Sequence, residues 1–332
     1  MRRPVRWWGR VADSAQPVGF LLHPASPLHD TGWGHPEHQG RLRALASAVG
    51  RDLLALDGKV VQITPGEPSD EDLLRVHTPE HLASIRAAVE QAEQENTLVR
   101  IDADTIASPA SWDAAVGSSA ALLTAVERVA DGTLSSAFVA TRPPGHHATP
   151  NRAMGFCLVN HVAVAARWLQ ATGRAERVLI VDWDVHHGNG TQDAFYDDGT
   201  VFYLSLHQWP HYPGTGAESE VGEGAGEGWT LNVPLPGGTS PESYSRHFWK
   251  AVDAALDRCR PDFILISAGF DVLAGDPLGD MLLEPEDLHA LTRGLLERGG
   301  DRAPVVAALE GGYDPTRTGL GVVAVLRALA GL

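Results

Sequence analysis

The chain has 332 residues, of which 43% are hydrophobic and 20% are charged, and this balance is typical of a globular protein rather than a disordered one. Its formal net charge of -16 argues against nucleic-acid binding, which needs clustered Lys and Arg, and favours a cationic substrate or peptide. The two cysteines, Cys157 and Cys259, are too few for a disulfide framework or a thiolate zinc cluster.

The start of the chain lacks the continuous apolar core and the small-residue cleavage site of a signal peptide. No stretch approaches the run of about 18 apolar residues that a membrane-spanning helix needs. We therefore expect a cytoplasmic protein without a membrane segment. Because the sequence has no repeat and no long linker, we also expect residues 1–332 to form a single domain, with the first ~20 residues as a peripheral extension.

Short runs of β-branched and aromatic residues predict strands that are buried on both faces. In chain order these runs are residues 137–141, 178–184, 201–206, 263–270 and 304–310. Between them, residues 110–132 and 240–259 have apolar side chains at helical spacing, and the Gly-rich segment 214–228 predicts a flexible surface loop. Strands that alternate with helices indicate an α/β fold, in which helices cover both faces of a parallel sheet.

Polar residues follow four of the predicted strands. In chain order they are the pair His146 and His147, the stretch "DWDVHH" from Asp182 to His187, Asp271 and Tyr313. Taken singly, each has an ordinary explanation, such as a loop residue, a helix cap or a packing side chain. Ligands bind beyond the carboxyl ends of the strands in parallel α/β sheets, so the four together predict a functional site there.

The stretch "DWDVHH" also predicts a metal site. Side chains alternate along a strand, so Asp182, Asp184 and His186 share one face, and Trp183 and Val185 take the other. Asp271 from another strand would complete an Asp-His-Asp set, and three protein ligands with an open position are typical of catalytic zinc. Because this set is rich in oxygen, Fe(II), Co(II) and Mn(II) remain alternatives to zinc.

Five segments of the sequence resemble the histone deacetylase and acetylpolyamine amidohydrolase superfamily, most closely its class II and bacterial histone-deacetylase-like members. They are "RPPGHHA", "DWDVHHGNGTQDAFY", "SLHQWPHYPGTG", "SAGFDVLAGDPLG" and "LEGGYD", and the resemblance runs from about His35 to the end of the chain. It implies the arginase-deacetylase fold, a single α/β domain around a mostly parallel eight-stranded sheet.

The resemblance also implies a role for each residue of the predicted site. It makes Asp184, His186 and Asp271 the zinc ligands, and His146 and His147 the tandem catalytic histidines, with Asp182 as the carboxylate that binds His146. Tyr313 matches the catalytic tyrosine. Asn189 stands where class I members have an Asp partner for the second histidine, which fits class II.

Further positions match a channel for an acyl-lysine side chain. Gly155, Phe156 and Tyr212 resemble its walls, although core packing is an equally good explanation of Phe156 without the family. Leu278 stands where polyamine-selective members carry an acidic gatekeeper, which favours a neutral acyl-lysine chain. Arg41 resembles the arginine beside an internal acetate-exit cavity; its alternative is a surface helix residue. Relatives also hold structural potassium ions, and the resemblance implies two such sites in this chain. One would lie near Asp182, Asp184, His186, Ser205 and Leu206, and the other near Phe195, Asp198, Val201 and Trp229.

The chemistry that the resemblance implies is zinc-dependent hydrolysis of acetyl or related acyl groups on lysine side chains, with His147 as the general base and Tyr313 as the oxyanion donor. Alternatives are a deacetylase of acetylpolyamines or of another small amide, a two-manganese ureohydrolase on the same fold, and a non-catalytic acyl-lysine binding module. Some relatives narrow their active-site mouth by forming oligomers, and residues 23–40 could form such a loop in a homo-oligomer of this chain.

Overall fold

The computed structural model describes residues 16–67 and 69–332. Its strands are β1 Val18–Leu21, β2 Val60–Gln62, β3 Val99–Arg100, β4 Ile106–Ala107, β5 Ser136–Val139, β6 Val178–Asp182, β7 Val201–Gln208, β8 Thr230–Leu235, β9 Phe263–Ala268 and β10 Val305–Leu309. Its helices are α1 Gly40–Arg51, α2 Leu53–Leu56, α3 Asp70–Leu73, α4 Pro79–Glu95, α5 Ser111–Ala130, α6 His161–Ala171, α7 Asn189–Phe195, α8 Pro241–Cys259, α9 Pro285–Gly299 and α10 Pro315–Leu329.

Eight strands form one sheet in the order β2-β1-β5-β10-β9-β6-β7-β8, and every pairing described within it is parallel. The predicted α/β class and the eight-stranded parallel sheet are therefore confirmed. All five predicted strands are present, but β6 ends at Asp182, so Asp184 and His186 lie in the loop beyond it. The prediction of a strand that extends to Asp184 was too long by two residues.

Three strands of the sheet, β1, β2 and β8, were not predicted. β2 and β8 are the edge strands, and their side chains are only partly buried, so they lack the continuous apolar run that marks a central strand. β1 already begins at Val18, inside the ~20 residues that we expected to form a peripheral extension. Residues 1–15 of that expected extension lie outside the described residues.

Helices cover both faces of the sheet. Successive side chains of a central strand point to opposite faces and therefore enter two different cores. In β5, Ala137 and Val139 belong to the core that includes side chains of α5 and α6, whereas Phe138 belongs to the core on the opposite face, which includes side chains of α1, α8, α9 and α10. The predicted helices correspond to α5 and α8. The hydroxyl of Ser240 caps α8 by accepting the N–H of Ser243, as its Ser-Pro-Glu start predicts.

In the part of the chain that the structure describes, no helix is long and apolar enough to span a membrane. The Gly-rich segment 214–228 is a loop, as predicted, but polar contacts hold it to the body of the protein. Glu220 accepts the amide of Gln192 at 2.6 Å and the backbone N–H of Gly216 and Ala217 at 3.1–3.2 Å. The segment therefore has fixed contacts although it is rich in Gly.

Candidate active site

The four polar clusters predicted from the sequence lie together at the carboxyl edge of the sheet. They follow β5, β6, β9 and β10, which are neighbours in the sheet order β5-β10-β9-β6. The parallel direction of these strands brings their carboxyl ends to one edge, although the clusters are far apart in sequence. All of their principal side chains are buried, with exposed fractions of 8% or less.

Asp184, His186 and Asp271 form a buried group in which one potential ligand atom of each residue lies within 4.8 Å of the others. The Nδ1 atom of His186 lies 3.0 Å from Oδ1 of Asp184 and 3.2 Å from Oδ2 of Asp271. The backbone N–H of Val185 donates to Oδ1 of Asp271, and that of Gly311 to Oδ2 of Asp184. The main chain thus fixes both carboxylates, while Oδ2 of Asp271 is buried without a hydrogen-bond partner.

This group attracts positive charge. Burial alone lowers the pKa of His186, but its hydrogen bond to Asp184 and the close negative charges of Asp184 and Asp271 outweigh it and raise that pKa to about 10. Burial and the neighbouring charge of Asp184 raise the pKa of Asp271 to about 7. Two carboxylates and one imidazole suit zinc and other divalent metals, so the residues present fit a resident metal ion. Among the described residues this is the one such group of three, which does not favour a two-metal ureohydrolase.

Gly311 allows the backbone that follows β10 to approach the carboxylates of Asp184 and Asp271 closely. A Cβ atom at Gly311 would overlap Oδ2 of Asp271 and lie 2.6 Å from Oδ2 of Asp184. Only glycine therefore fits here without displacing both carboxylates. Gly311 is the first of the two glycines in "LEGGYD", between the end of β10 and Tyr313.

His146 lies between two carboxylates. Its Nδ1 atom is 3.0 Å from Oδ2 of Asp182, and its Nε2 atom is 3.8 Å from Oδ1 of Asp184. The hydroxyl of Tyr203 also donates to Oδ2 of Asp182 at 3.0 Å. Burial lowers the pKa of His146, but the charges of Asp184 and Asp182 exceed that effect and raise it to about 10. These two carboxylates therefore favour the protonated form of His146.

His147 has the opposite electrostatic environment. Burial and the positive charges of His146 and His186 lower its pKa well below the usual value. Its Nδ1 atom lies 2.8 Å from Oδ1 of Asn189, at the first residue of α7. Because an amide oxygen only accepts, Nδ1 carries the hydrogen, and Nε2 is left with a free lone pair. The pKa values of the two adjacent histidines are thus shifted in opposite directions.

A cavity of about 320 Å³ leads to these groups. Its lining includes all four predicted channel residues, namely Gly155, Phe156, Tyr212 and Leu278, together with His147, His186 and Tyr313. Phe156 and Gly155 both have positive φ angles, of 68° and 57°, and a Cβ atom at Gly155 would collide with the His147 ring. The ring of Phe156 meets Tyr313 edge-on with centroids 5.6 Å apart, so Phe156 is a wall residue rather than a core residue.

Tyr313 is held mainly through its ring and its main chain. The guanidinium of Arg41 lies 5.0 Å from the ring centroid, and its nitrogens donate at 2.6 Å to the carbonyls of Gly312 and Glu310. Arg41 is completely buried, which excludes the alternative of a surface helix residue. Burial raises the pKa of the Tyr313 hydroxyl well above its usual value, so the hydroxyl keeps its proton.

Several residues of the site were missed by the sequence analysis. The cavity is also lined by Asp104, His211 and Asp280. Glu310 is buried beside the histidine pair, where its Oε2 accepts the N–H of Gly145 at 2.6 Å and of His146 at 3.2 Å. Burial is the main reason why the pKa of Glu310 is raised to about 7. Its only sequence signal was a charged residue directly after a buried apolar strand.

Other residues singled out in the sequence lie around the site. Residues 23–40 contact a wall residue of the cavity, since the ring centroid of His35 lies 4.7 Å from that of Phe156. The ring nitrogens of His187 contact Thr215 and Gln192 rather than Asp184 or Asp271. Among the predicted potassium-site residues, Ser205 is buried next to His207, and Asp198 pairs with Arg167 at 2.5 Å.

Comparisons with known proteins agree with this architecture. A family model described as "Histone deacetylase domain" matches residues 35–329. A probable deacetylase of Archaeoglobus fulgidus is 35% identical over 316 residues, which cover 93% of this chain and 86% of that protein. Histone deacetylase 15 of Arabidopsis thaliana is 38% identical over 328 residues, which cover 96% of this chain and 57% of that protein. The crystal structure of the HDA15 HD domain matches with a TM-score of 0.89 at 36% identity, covering 95% of this chain and 91% of that chain.

A parallel sheet with buried carboxylates, paired histidines and a tyrosine at its carboxyl edge is the architecture of a hydrolase of the deacetylase class. The chain belongs to the histone deacetylase family, and its fold is the arginase-deacetylase fold, as the sequence resemblance implied.

Proposed function

We propose that this protein is a zinc-dependent deacetylase that removes acetyl or related acyl groups from lysine side chains of proteins or peptides. The observation that carries the proposal is that one cavity brings together a candidate metal-ligating group, a neutral histidine and a protonated tyrosine. A metal-dependent amidohydrolase combines a Lewis acid, a base and an oxyanion donor in one place, and these residues would hold the metal and supply the other two functions.

Asp184, His186 and Asp271 would hold the zinc ion. The unpartnered Oδ2 atom of Asp271 supports this assignment, because a buried carboxylate oxygen without a donor is costly unless a cation binds it. When bound there, zinc would lower the pKa of a water molecule and polarise the substrate carbonyl. The oxygen-rich ligand set also suits Fe(II), Co(II) and Mn(II), which metal analysis separates.

His147 acts as the general base in this proposal. Its Nε2 lone pair takes a proton from the attacking water, and the same N–H then delivers the proton to the leaving amine. His146, which Asp182 holds and whose raised pKa favours its protonated form, would stabilise negative charge that develops beside it. The Tyr313 hydroxyl donates a hydrogen bond to the oxyanion of the tetrahedral intermediate. The pairing of His147 with an amide, Asn189, supports a class II-like assignment.

The channel supports a lysine-like substrate. Phe156 and Tyr212 present aromatic surfaces, Leu278 adds an apolar one, and Gly155 lets the main chain approach the substrate closely. A neutral acyl group on a four-carbon chain suits such walls, since its methylenes bury apolar surface. A non-catalytic binding module would have no use for the neutral His147 and the metal-ligating group beneath the channel.

Acetylated polyamines or other small acetylated amines are the second candidate substrates. The observation that favours them is that the cavity lining contains the carboxylates of Asp104 and Asp280 and, among the described residues, no Lys or Arg. A carboxylate near the channel attracts an additional ammonium group. Leu278 argues the other way, because it offers no acceptor at the gatekeeper position.

The test is turnover of a fluorogenic acetyl-lysine peptide by the protein loaded with zinc, together with metal analysis. We expect one zinc ion per chain and hydrolysis that a hydroxamate inhibitor abolishes. His147→Ala should lose turnover while it keeps its zinc and its melting temperature. Near-normal turnover by that variant would refute the assignment of the base, and two ions per site would support the ureohydrolase alternative.

We also propose that residues 1–332 act as a single deacetylase domain, because one sheet includes strands from Val18 to Leu309. Structural potassium at the two sets of residues named above and assembly into a homo-oligomer through residues 23–40 are further proposals. Potassium-dependent melting temperatures would test the first, and the mass of the protein in solution would test the second.

A further inference from the structure

Asp276 connects the rim of the cavity to Tyr313. It lies in the segment "GDPLG", five positions after Asp271, and is buried with 6% of its surface exposed. Its Oδ2 atom accepts the backbone N–H of Tyr313 at 2.6 Å and that of Asp314 at 3.1 Å. Its Oδ1 atom accepts the backbone N–H of Leu278 at 2.9 Å. One side chain therefore binds both the rim residue and the tyrosine segment.

These bonds require two acceptor oxygens that point in different directions. A carboxylate has two such oxygens, whereas an amide has one oxygen and one NH₂ group, which only donates. An Asn at position 276 would therefore leave either the Leu278 N–H or the N–H groups of Tyr313 and Asp314 facing a donor. The structure thus explains why a carboxyl side chain rather than an amide is used in this buried position.

Tyr313 depends on such an anchor, because its hydroxyl has no hydrogen-bond partner within residues 16–67 and 69–332. Its ring is in contact with Arg41 and Phe156, and Asp276 accepts its backbone N–H. The hydroxyl must reach the substrate oxyanion from this position. A change in the main chain at Tyr313 would move the hydroxyl away from the atom that it must bind.

We propose that Asp276 is a positioning residue that sets the place of the Tyr313 hydroxyl relative to Leu278 and thus relative to the substrate channel. This inference rests on the proposed function, in which Tyr313 is the oxyanion donor. Asp276 does not touch the substrate and acts only through Tyr313 and Leu278. Its removal should consequently reduce the contribution of Tyr313 to catalysis and leave the metal-ligating group intact.

The test is a double-mutant cycle with Asp276→Asn and Tyr313→Phe. We expect Asp276→Asn to lower kcat by about ten-fold, since small misplacements of a catalytic group have effects of this order or larger. In the Tyr313→Phe background the same change should lower kcat by no more than about two-fold, because the group that Asp276 positions has gone. Equal losses in the two backgrounds, or no loss at all, would overturn the proposal.

Asp314→Asn is the matched control. It removes a carboxylate next to Tyr313, but Asp314 caps α10 through one oxygen, which accepts the N–H groups of Thr316 and Arg317. Asn caps helices as well as Asp, so this variant should retain kcat within about two-fold. A ten-fold loss in Asp314→Asn would show that loss of charge rather than loss of position causes the effect, and would count against Asp276 as an anchor.

Amide hydrogen exchange gives a measurement that does not depend on activity. In Asp276→Asn, exchange should become faster in a peptide that covers residues 310–314, in one that covers residues 276–280, or in both, at an unchanged zinc content. In Asp314→Asn, the N–H of Tyr313 should stay protected. Unchanged exchange in Asp276→Asn would overturn the positioning role whatever the activity, whereas a wild-type protein without acetyl-lysine turnover would refute the proposed function alone.

Discussion

Replacing Asn189 by Asp should shift the pH dependence of catalysis. The wild-type His147 is neutral because burial and the charges of His146 and His186 hold its pKa well below the usual value. Asn189→Asp would place a carboxylate 2.8 Å from Nδ1 of His147, at the position of the present amide oxygen. An opposite charge at this range raises the pKa of a histidine by about 1–3 units, which corresponds to about 1.4–4 kcal/mol.

The sign of the effect follows from the role of His147. A base must be unprotonated to act, so activity falls as the pH drops through the pKa of His147. Raising that pKa moves the acid limb of the kcat/KM profile upward by about 1–3 pH units. The measurement is kcat/KM for an acetyl-lysine peptide at closely spaced pH values, with the zinc content checked at each end of the range.

The substitution should not unfold the protein, since Asn189 begins α7 and a carboxylate in the first turn interacts favourably with the helix dipole. Asn151→Asp is the control. Asn151 is exposed, and its side-chain oxygen accepts the Thr149 hydroxyl, a bond that Asp keeps. This control adds the same charge outside the site and should leave the acid limb in place. An unmoved limb in Asn189→Asp would refute His147 as the base whose protonation limits the reaction.

Four further changes test other parts of the site. Tyr313→Phe should lower kcat by about 10²–10³ with a small change in KM, as loss of an oxyanion donor does, and steady-state kinetics decide this. Asp271→Asn should reduce the zinc content at equal protein concentration, and retention of one ion per chain would contradict its role as a ligand. Glu310→Ala should lower the free energy of unfolding in urea by about 1–3 kcal/mol for each buried donor left unpaired, whereas Glu310→Gln, which keeps an acceptor, should lose less. Leu278→Glu should raise kcat/KM for acetylspermidine relative to an acetyl-lysine peptide, and an unchanged ratio would show that Leu278 does not select the substrate.

The central strands could be predicted from the sequence because both of their faces are buried. In β9, for example, all six residues from Phe263 to Ala268 are buried, so the strand appears as a continuous apolar run. The edge strand β8 alternates between buried and partly exposed residues and contains Pro234, so it has no such run. Strands at the edges of the sheet were missed for this physical reason.

The site residues could be predicted because several of them stand beyond predicted strands and the fold brings those ends together. The grouping of Asp182, Asp184 and His186 was useful although the strand ends at Asp182, since Trp183 and Val185 still enter the core.

Glu310 and Asp276 could not be recognised in the same way. Both stand inside motifs that were quoted from the sequence, but most of their partners are backbone N–H groups. Backbone groups leave no signature in the sequence, and those bound to Glu310 belong to a segment more than 160 residues earlier. The positions of such anchors become visible only when the loops are placed in three dimensions.

The most direct test of the central claim is a turnover panel with the zinc-loaded protein. It compares an acetyl-lysine peptide, longer acyl-lysines, trifluoroacetyl-lysine, acetylputrescine and acetylspermidine, each before and after removal of the metal by a chelator. The proposed function predicts that the acyl-lysine peptides have the highest kcat/KM, that chelation abolishes turnover and that added zinc restores it. Turnover that survives complete removal of the metal, or a preference for acetylpolyamines by orders of magnitude, would contradict it.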